Sequence, residues 1–207
     1  MTAAEHCMLG GVLAHLGFHQ KYGRPITVFM VIAAVLPDID SVALLLGNNA
    51  FSELHRGPTH SVGGILLLSL LTALASPLLI ALARRVKRGA EPDSRRRRLL
   101  DSLGFDGTSE SVLGNRPILF AASLVVMGAH IVVDYFFHWP IPVLWPITAR
   151  EYALPVLNWG DMVTVVVLIA GVSALALVHR HKRAIAIGTV SVLIGYVAGR
   201  CLFLGTV

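Results

Sequence analysis

The stretch His55-Arg56-Gly57-Pro58-Thr59-His60-Ser61, followed at once by the apolar run 61–83, decides how this chain is read. It places two imidazoles, a guanidinium and two hydroxyls on a Gly-Pro turn that cannot be helical. A polar turn at the mouth of a long apolar segment needs partners, and those must come from elsewhere in the chain.

The composition sets the environment. Of 207 residues, 55% are hydrophobic and 14% charged, and the mean hydropathy is +0.72. That is too apolar for an ordinary soluble domain and predicts an all-α, integral-membrane helical bundle forming one domain over 1–207. The net charge of +5 and pI near 9.7 raise the question of a nucleic-acid partner. None is expected, because the basic residues sit at the ends of apolar runs and so carry topology. Cys7 and Cys201 stand alone inside apolar segments, without metal-type spacing, and read as small buried hydrophobes. The first twenty residues lack a basic leader and carry Glu5, His6, His15 and His19, which argues against a cleaved signal peptide.

About six membrane segments can be drawn, at 2–20, 26–46, 61–83, 117–139, 162–178 and 184–206, the second broken at Pro37. The long polar connection 84–116 carries Arg84, Arg85, Lys87, Arg88, the run Arg95 to Arg98 and Arg116, and is expected to be a flexible cytoplasmic loop. With alternation, the inside connections hold 14 of the 17 Lys and Arg, leaving Arg56, Arg150 and Arg200 outside. Both termini then lie on the outer side. Tyr135, Trp139, Trp145, Tyr152 and Trp159 gather around the outer loop 139–161, as an interfacial aromatic belt does.

Depth brings the unusual residues together. His6 is 15 residues from Lys21, Asp38 and Asp40 are 12 and 14 from Ile26, and His130 and Asp134 are 13 and 17 from Pro117. At a rise of roughly 1.5 Å per residue these offsets are depths of about 18 to 25 Å, in the outer half of the hydrocarbon core. His60, at the outer start of the third segment, falls near the same level. Ionisable groups there must face one another, water or a metal, so the layer reads as a functional site.

His130, Asp134 and His138 are four apart and share one helical stripe, of which the first two make an arm for a metal. His138 lies close to the interface and is the ambiguous member. Asp38 and Asp40 would diverge on a regular helix, but the break at Pro37 lets both turn toward one centre; alternatively, Asp40 caps a half-helix at 41–46. Thr59 or Ser61 can cap the third helix, His55 and His60 flank a rigid turn, and Arg56 offers a planar fork for a phosphate oxygen. Glu53 is a candidate proton shuttle. His15 and His19 sit toward the inner end and His179 and His181 in a basic turn, away from the layer.

With His6, Leu36-Pro37-Asp38-Ile39-Asp40, His55 to Ser61, His130-x-x-x-Asp134, and Pro142-Val143-Leu144-Trp145-Pro146 followed by Leu154-Pro155, the chain resembles the YdjM-like family of bacterial inner-membrane proteins. The matching positions run from 6 to about 155, and the last two segments carry no motif. Pro58 stands where the family commonly has a bulky residue after the glycine, and the residues between Asp134 and Trp145 also depart from its pattern. The resemblance implies a multi-pass protein of the cell inner membrane with metal-dependent hydrolase activity.

The residues themselves lead to a compatible expectation. His6, Asp38, Asp40, His55, His60, His130 and Asp134 would hold one or two divalent ions, zinc by the imidazole content, with manganese or magnesium allowed by the aspartates. A water activated there would cleave an ester or phosphoester, with Arg56 and Glu53 assisting. The location suggests a lipid-linked or small-molecule substrate met in the lipid bilayer. The rival reading is a metal-ion or proton transporter, which expects polar residues connecting both faces, whereas 26–35 and 118–128 are nearly all apolar. A third is a structural bundle whose His/Asp cluster serves folding alone.

Overall fold

Thr2 starts the first helix with a reciprocal capping box: its hydroxyl accepts from the Glu5 N–H, and the Glu5 carboxylate accepts from the Thr2 N–H. The result is α1 (Ala3–Ala14). The structure, a computed structural model, describes residues 1–49, 51, 55–89, 94–102, 111–158 and 160–204. α2 (Phe18–Ala33) follows, interrupted at Gly23, whose φ of 71° takes the backbone where a side chain would be strained. The expected first segment, 2–20, therefore ends early, and the expected inside connection 21–25 is this kink.

After Ala33 the chain tightens into a 3-10 helix, Leu36–Leu46, bent 42° from α2. Pro37, in its first turn, accounts for the change of path. A single 3-10 turn, Pro58–His60, leads into α3 (Val62–Leu74). Ser61 is the cap: its hydroxyl donates to the Pro58 carbonyl at 2.6 Å and accepts from the Gly64 N–H at 2.9 Å. Thr59 does not cap; its hydroxyl goes to Asp40.

α4 (Ser76–Arg88) continues α3 with a bend of 44°. The polar connection expected to be a loop is thus partly helical, through the end of α4 and through α5 (Arg95–Ser102). Glu91, Pro92, Asp93, Gly104 and Gly107, read as flexible loop, lie outside the described residues, as do Glu53 and Trp159.

The last three helices come close to expectation. α6 (Arg116–Tyr135) is capped by Asn115, α7 (Met162–Leu177) by Asp161, and α8 (Lys182–Leu204) follows. Among the described residues the β pairing is one isolated antiparallel bridge, Ile141 with Tyr152, in the loop between α6 and α7.

α3 packs along α6, α1 against α2 and α7, α7 along α8, and α2 touches α6. Gly10 permits the α1–α2 approach, since a Cβ there would stand 2.8 Å from that of Ala34 and 2.9 Å from the Met30 carbonyl. Ile26, Met30, Leu119, Met127 and Leu168 fill the core. The outer surface is apolar as well: Leu45, Leu46, Leu78, Ile147, Leu177, Leu202 and Phe203 are all exposed, as on a lipid-facing bundle.

Among the described residues two helices, Arg116–Tyr135 and Lys182–Phe203, are long and apolar enough to cross a membrane, and up to four spans result if each bent pair counts as one. α1 with 12 residues and α7 with 16 are shorter than the roughly 20 that a perpendicular span takes.

Candidate metal centre

The breaks in the helices deliver the polar side chains to one place. Pro37 has no N–H to give the Ala34 carbonyl three residues back, and that oxygen instead lies 2.7 Å from Nδ1 of His130. A carbonyl only accepts, so Nδ1 carries the proton and Nε2 presents its lone pair. His60, on the Pro58 turn, is arranged alike: its Nδ1 is 3.1 Å from Thr59 Oγ1, which donates its own proton to Asp40 and so accepts here, and 3.3 Å from Asp40 Oδ2, leaving Nε2 to face inward. The two Nε2 atoms stand 3.3 Å apart. Two inward lone pairs at that distance need a shared cation, either a proton or a metal ion.

Two carboxylates complete the cluster. Asp38 Oδ1 is 3.4 Å from His60 Nε2 and 3.5 Å from His130 Nε2. Asp134 Oδ2 is 3.7 Å from each of the same two atoms. Ligands of a tetrahedral ion bound at roughly 2.0–2.1 Å stand about 3.3–3.4 Å apart along each edge. Asp38, His60 and His130, with edges of 3.3 to 3.5 Å, therefore fit three corners of such a site, and His6, His130 and Asp134 form a second donor group that shares His130. His60 and His130 are fully buried and Asp134 nearly so, while the Asp38 side chain retains 19% exposure, so the centre opens on the Asp38 side.

His6 stacks on His130 with ring centroids 3.5 Å apart, and its Nε2 is 3.4 Å from Asp134 Oδ1. That contact is misaligned for hydrogen bonding, and both His6 nitrogens are buried without a hydrogen-bond partner. The same holds for Asp134 Oδ2, where Arg56 Nη2 at 3.2 Å forms an ion pair off the hydrogen-bond direction. Asp134 Oδ1 accepts from the Met1 α-amine at 2.7 Å. Buried polar atoms left this way carry a cost that a bound cation would remove. The residues present thus fit a divalent ion.

Asp40 differs from the other carboxylates because it is saturated. It accepts from Thr59 Oγ1 at 2.6 Å, His55 Nδ1 at 2.8 Å and the Arg56 N–H at 3.0 Å, and faces His60 Nδ1. It does not cap a half-helix, since its carboxylate reaches across to 55–60. His55 stacks on Phe51 and meets this aspartate, and could join Asp38 and Asp40 in a looser donor group. Arg56 has φ 62° and is buried, with Nη1 donating to the Trp139 carbonyl at 3.4 Å and its guanidinium 5.6 Å from the Trp139 ring. Its Nε has no hydrogen-bond partner.

His138 does not reach the centre. α6 ends at Tyr135, the helical stripe stops with it, and His138 lies exposed with Nδ1 3.0 Å from the Leu157 carbonyl. His15 and His19 stack on each other at 4.2 Å, apart from the layer. Sequence reasoning missed the Ala34 carbonyl, although Pro37 was its signal, and the joining of Thr59 to Asp40, for which no spacing gives notice. Trp139 read as belt and proves to be the floor beneath Arg56.

One family model matches the chain, that of the YdjM inner membrane protein, over residues 1–205. No curated protein and no solved structure matches it.

Proposed function

The chain belongs to the YdjM inner membrane protein family, and from that premise we propose that it is a multi-pass hydrolase holding a divalent ion among His60, His130, Asp38 and Asp134. The observation that carries the reading is the three-donor group of Asp38, His60 and His130 with edges of 3.3 to 3.5 Å, flanked by Asp134 Oδ2 at 3.7 Å from both imidazoles. Two imidazoles and two carboxylates favour zinc and allow manganese or magnesium. His6 is positioned as a further donor or as the wall that keeps His130 in place.

When bound, such an ion supplies Lewis acidity that brings the pKa of a coordinated water toward about 7, enough to attack an ester or phosphoester. The chain's own residues do the rest. The Ala34 carbonyl fixes the tautomer of His130 and the Thr59 hydroxyl, itself bonded to Asp40, that of His60, so that both Nε2 atoms point inward. Arg56, held by Asp134 and Trp139, keeps Nε free for an anionic oxygen of the substrate. Asp40 is a positioning residue in this scheme, because its lone pairs are already committed.

The proposed topology has six segments, with α1 and α7 as the short ones, 84–116 on the cytoplasmic side and both termini outside. The bias of 14 of 17 Lys and Arg toward the inner connections supports it. The centre then lies in the outer half of the bilayer, where lipid-linked substrates are at hand. Metal analysis of purified protein should find stoichiometric metal, lost in His60→Ala and Asp134→Ala, and detergent-solubilised protein should turn over a member of a phospholipid and lipid-phosphate panel. Absence of metal would sink the proposal. Uptake of labelled metal into vesicles carrying the protein would redirect it to a transporter.

A further inference from the structure

A hydroxyl inside an apolar helix has a ready acceptor in the backbone carbonyl four residues back. Two side chains of this protein use it: Thr72 donates to the Leu68 carbonyl at 2.6 Å and Thr189 to that of Ile185 at 2.9 Å. Three buried serines do not. Ser69 on α3 donates to the sulfur of Met127 on α6 at 3.6 Å, a weak acceptor. Ser123 on α6 and Ser76 at the start of α4 are buried, and neither Oγ has a hydrogen-bond partner. A packing role needs no hydroxyl, since alanine fills nearly the same space without a buried polar atom.

The three serines continue the line of the His/Asp centre. Ser123 is seven residues before His130 and eleven before Asp134, which puts it within about 20° of both around the helix. The face of α6 that bears the centre thus runs on through Met127 to Ser123. α3 lies antiparallel beside it, with Ser69 against Met127, and Ser76 follows Ser69 by seven residues, about two turns. At roughly 1.5 Å per residue, Met127 and Ser69 stand about 4.5 Å along the axis from His130, Ser123 about 10.5 Å and Ser76 about 15 Å. The last is within about 6 Å of the Arg116 end of α6.

Steps of about 4.5 to 6 Å suit one bridging water each, because two hydrogen bonds of about 2.8 Å reach roughly 5.5 Å. Gly128, next to Met127, leaves room between the helices: a Cβ there would meet nothing nearer than Ile65 Cδ1 at 4.0 Å. A buried water needs two to four polar partners, and the unpartnered hydroxyls supply them at successive levels.

We propose that Ser69, Ser123 and Ser76 hold a file of buried water through which water and protons reach the His/Asp centre from the Arg116 end of α6, a second route beside the opening at Asp38. Each hydroxyl or water in the file accepts one hydrogen bond and donates another. A proton entering at one end therefore releases one at the other, and only O–H bonds are exchanged. The inference does not need hydrolysis at the centre.

The test uses the full chain in lipid nanodiscs, mixed with heavy-oxygen water and given millisecond X-ray pulses after increasing delays, with methionine oxidation mapped by mass spectrometry. Hydroxyl radicals made from a bound water attack the side chain beside it. Met127 and Met30 are both fully buried, and exposed Met162 measures the dose. Met127 should be oxidised severalfold faster than Met30. Ser76→Ala combined with Ser123→Ala should bring it down to the Met30 rate, with Met162 unchanged. Ser76→Leu should slow the arrival of heavy oxygen at Met127 severalfold, and Ser76→Val serves if the leucine variant does not fold. Oxidation of Met127 no faster than that of Met30 overturns the proposal, as does a rate indifferent to the serine replacements. Heavy oxygen arriving as quickly behind the bulkier Ser76 variant overturns the second route, because the water then comes by way of the centre.

Discussion

Replacing Asp40 with alanine distinguishes a carboxylate that holds the scaffold from one that holds the ion. Asp40 is the acceptor for Thr59 at 2.6 Å, His55 at 2.8 Å and the Arg56 backbone at 3.0 Å, and it faces His60 Nδ1 at 3.3 Å. Hydrogen bonds to a charged acceptor contribute about 1.5–3 kcal/mol each. The Thr59 hydroxyl can rotate and partly exposed His55 can be rehydrated, so roughly one to two full bonds are lost, or about 3 kcal/mol. The Arg56 N–H has no such recourse, because its left-handed backbone, with φ 62°, costs of order 1–3 kcal/mol and is kept in place by this bond. Loss of an orienting partner on a metal-binding histidine costs about 10–100-fold in metal affinity. In a chelator-competition titration with zinc, Asp40→Ala should therefore bind about 10–100-fold more weakly than the unchanged protein and melt at lower temperature in detergent, while His60→Ala binds no zinc at this site. Asp40→Asn, which keeps one carbonyl acceptor, should fall between. If Asp40→Ala loses metal as completely as His60→Ala, Asp40 is itself a ligand and the saturation argument fails. If neither affinity nor melting changes, the hydrogen bonds are idle and the argument fails the other way.

Four further outcomes are expected. Gly64→Ala should destabilise by about 1–3 kcal/mol and displace the His60 turn, because a Cβ would run into the Pro58 carbonyl; Gly11→Ala, 3.6 Å from Val31 Cγ2, should be silent in the same thermal melt. His138→Ala should keep its metal while His130→Ala loses it, by elemental analysis of the purified variants. In a chain with Cys7 and Cys201 replaced by alanine, an impermeant maleimide applied to spheroplasts should label Ile147→Cys at once and Arg95→Cys only after permeabilisation; the reverse pattern would invert the topology. His6→Leu should leave the metal-free protein as stable as before or slightly more so, yet weaken metal binding, as read by thermal shift with and without zinc.

The sequence singles these residues out because charge inside an apolar run is costly wherever it falls. His6, Asp38, His60, His130 and Asp134 were legible on that ground, and the break at Pro37 on steric ground. What could not be read is which atom faces which. Asp38 and Asp40 are two apart, and only the 3-10 path of Leu36–Leu46 and the return of 55–60 decide that one faces the cluster and the other His55, Arg56 and Thr59. His138 kept the four-residue spacing but lost the helix, and Pro140 was the available signal that α6 would stop before it. The first segment was drawn too long because His15 to Gly17 look like any apolar-flanked helix, while the chain turns there and lays α1 against α2. Arg56 reads in sequence as a fork for a phosphate oxygen, and the structure buries it, its backbone bonded to Asp40 and its side chain to Trp139.

Breaking helices inside an apolar bundle frees backbone groups that apolar surroundings cannot satisfy, so part of this cluster is owed to folding alone. His130 Nδ1 meets the Ala34 carbonyl, and Asp40 meets the Arg56 N–H. A bundle whose polar residues served only that end would stop when the breaks were satisfied, because every additional buried polar atom is a cost. This one does not stop there. Both nitrogens of His6, Oδ2 of Asp134 and Nε of Arg56 are buried without hydrogen-bond partners, and the two Nε2 atoms of His60 and His130 stand 3.3 Å apart. Nothing in the folding account needs those atoms, and the atoms it does need, Asp40 and His130 Nδ1, point away from the centre. The surplus is of the kind a cation and an anionic oxygen would satisfy. That division makes His6→Leu the sharpest arbiter between the two accounts: a purely structural cluster predicts a variant no worse in any assay, and a metal centre predicts one that is sound when empty and deficient when zinc is offered.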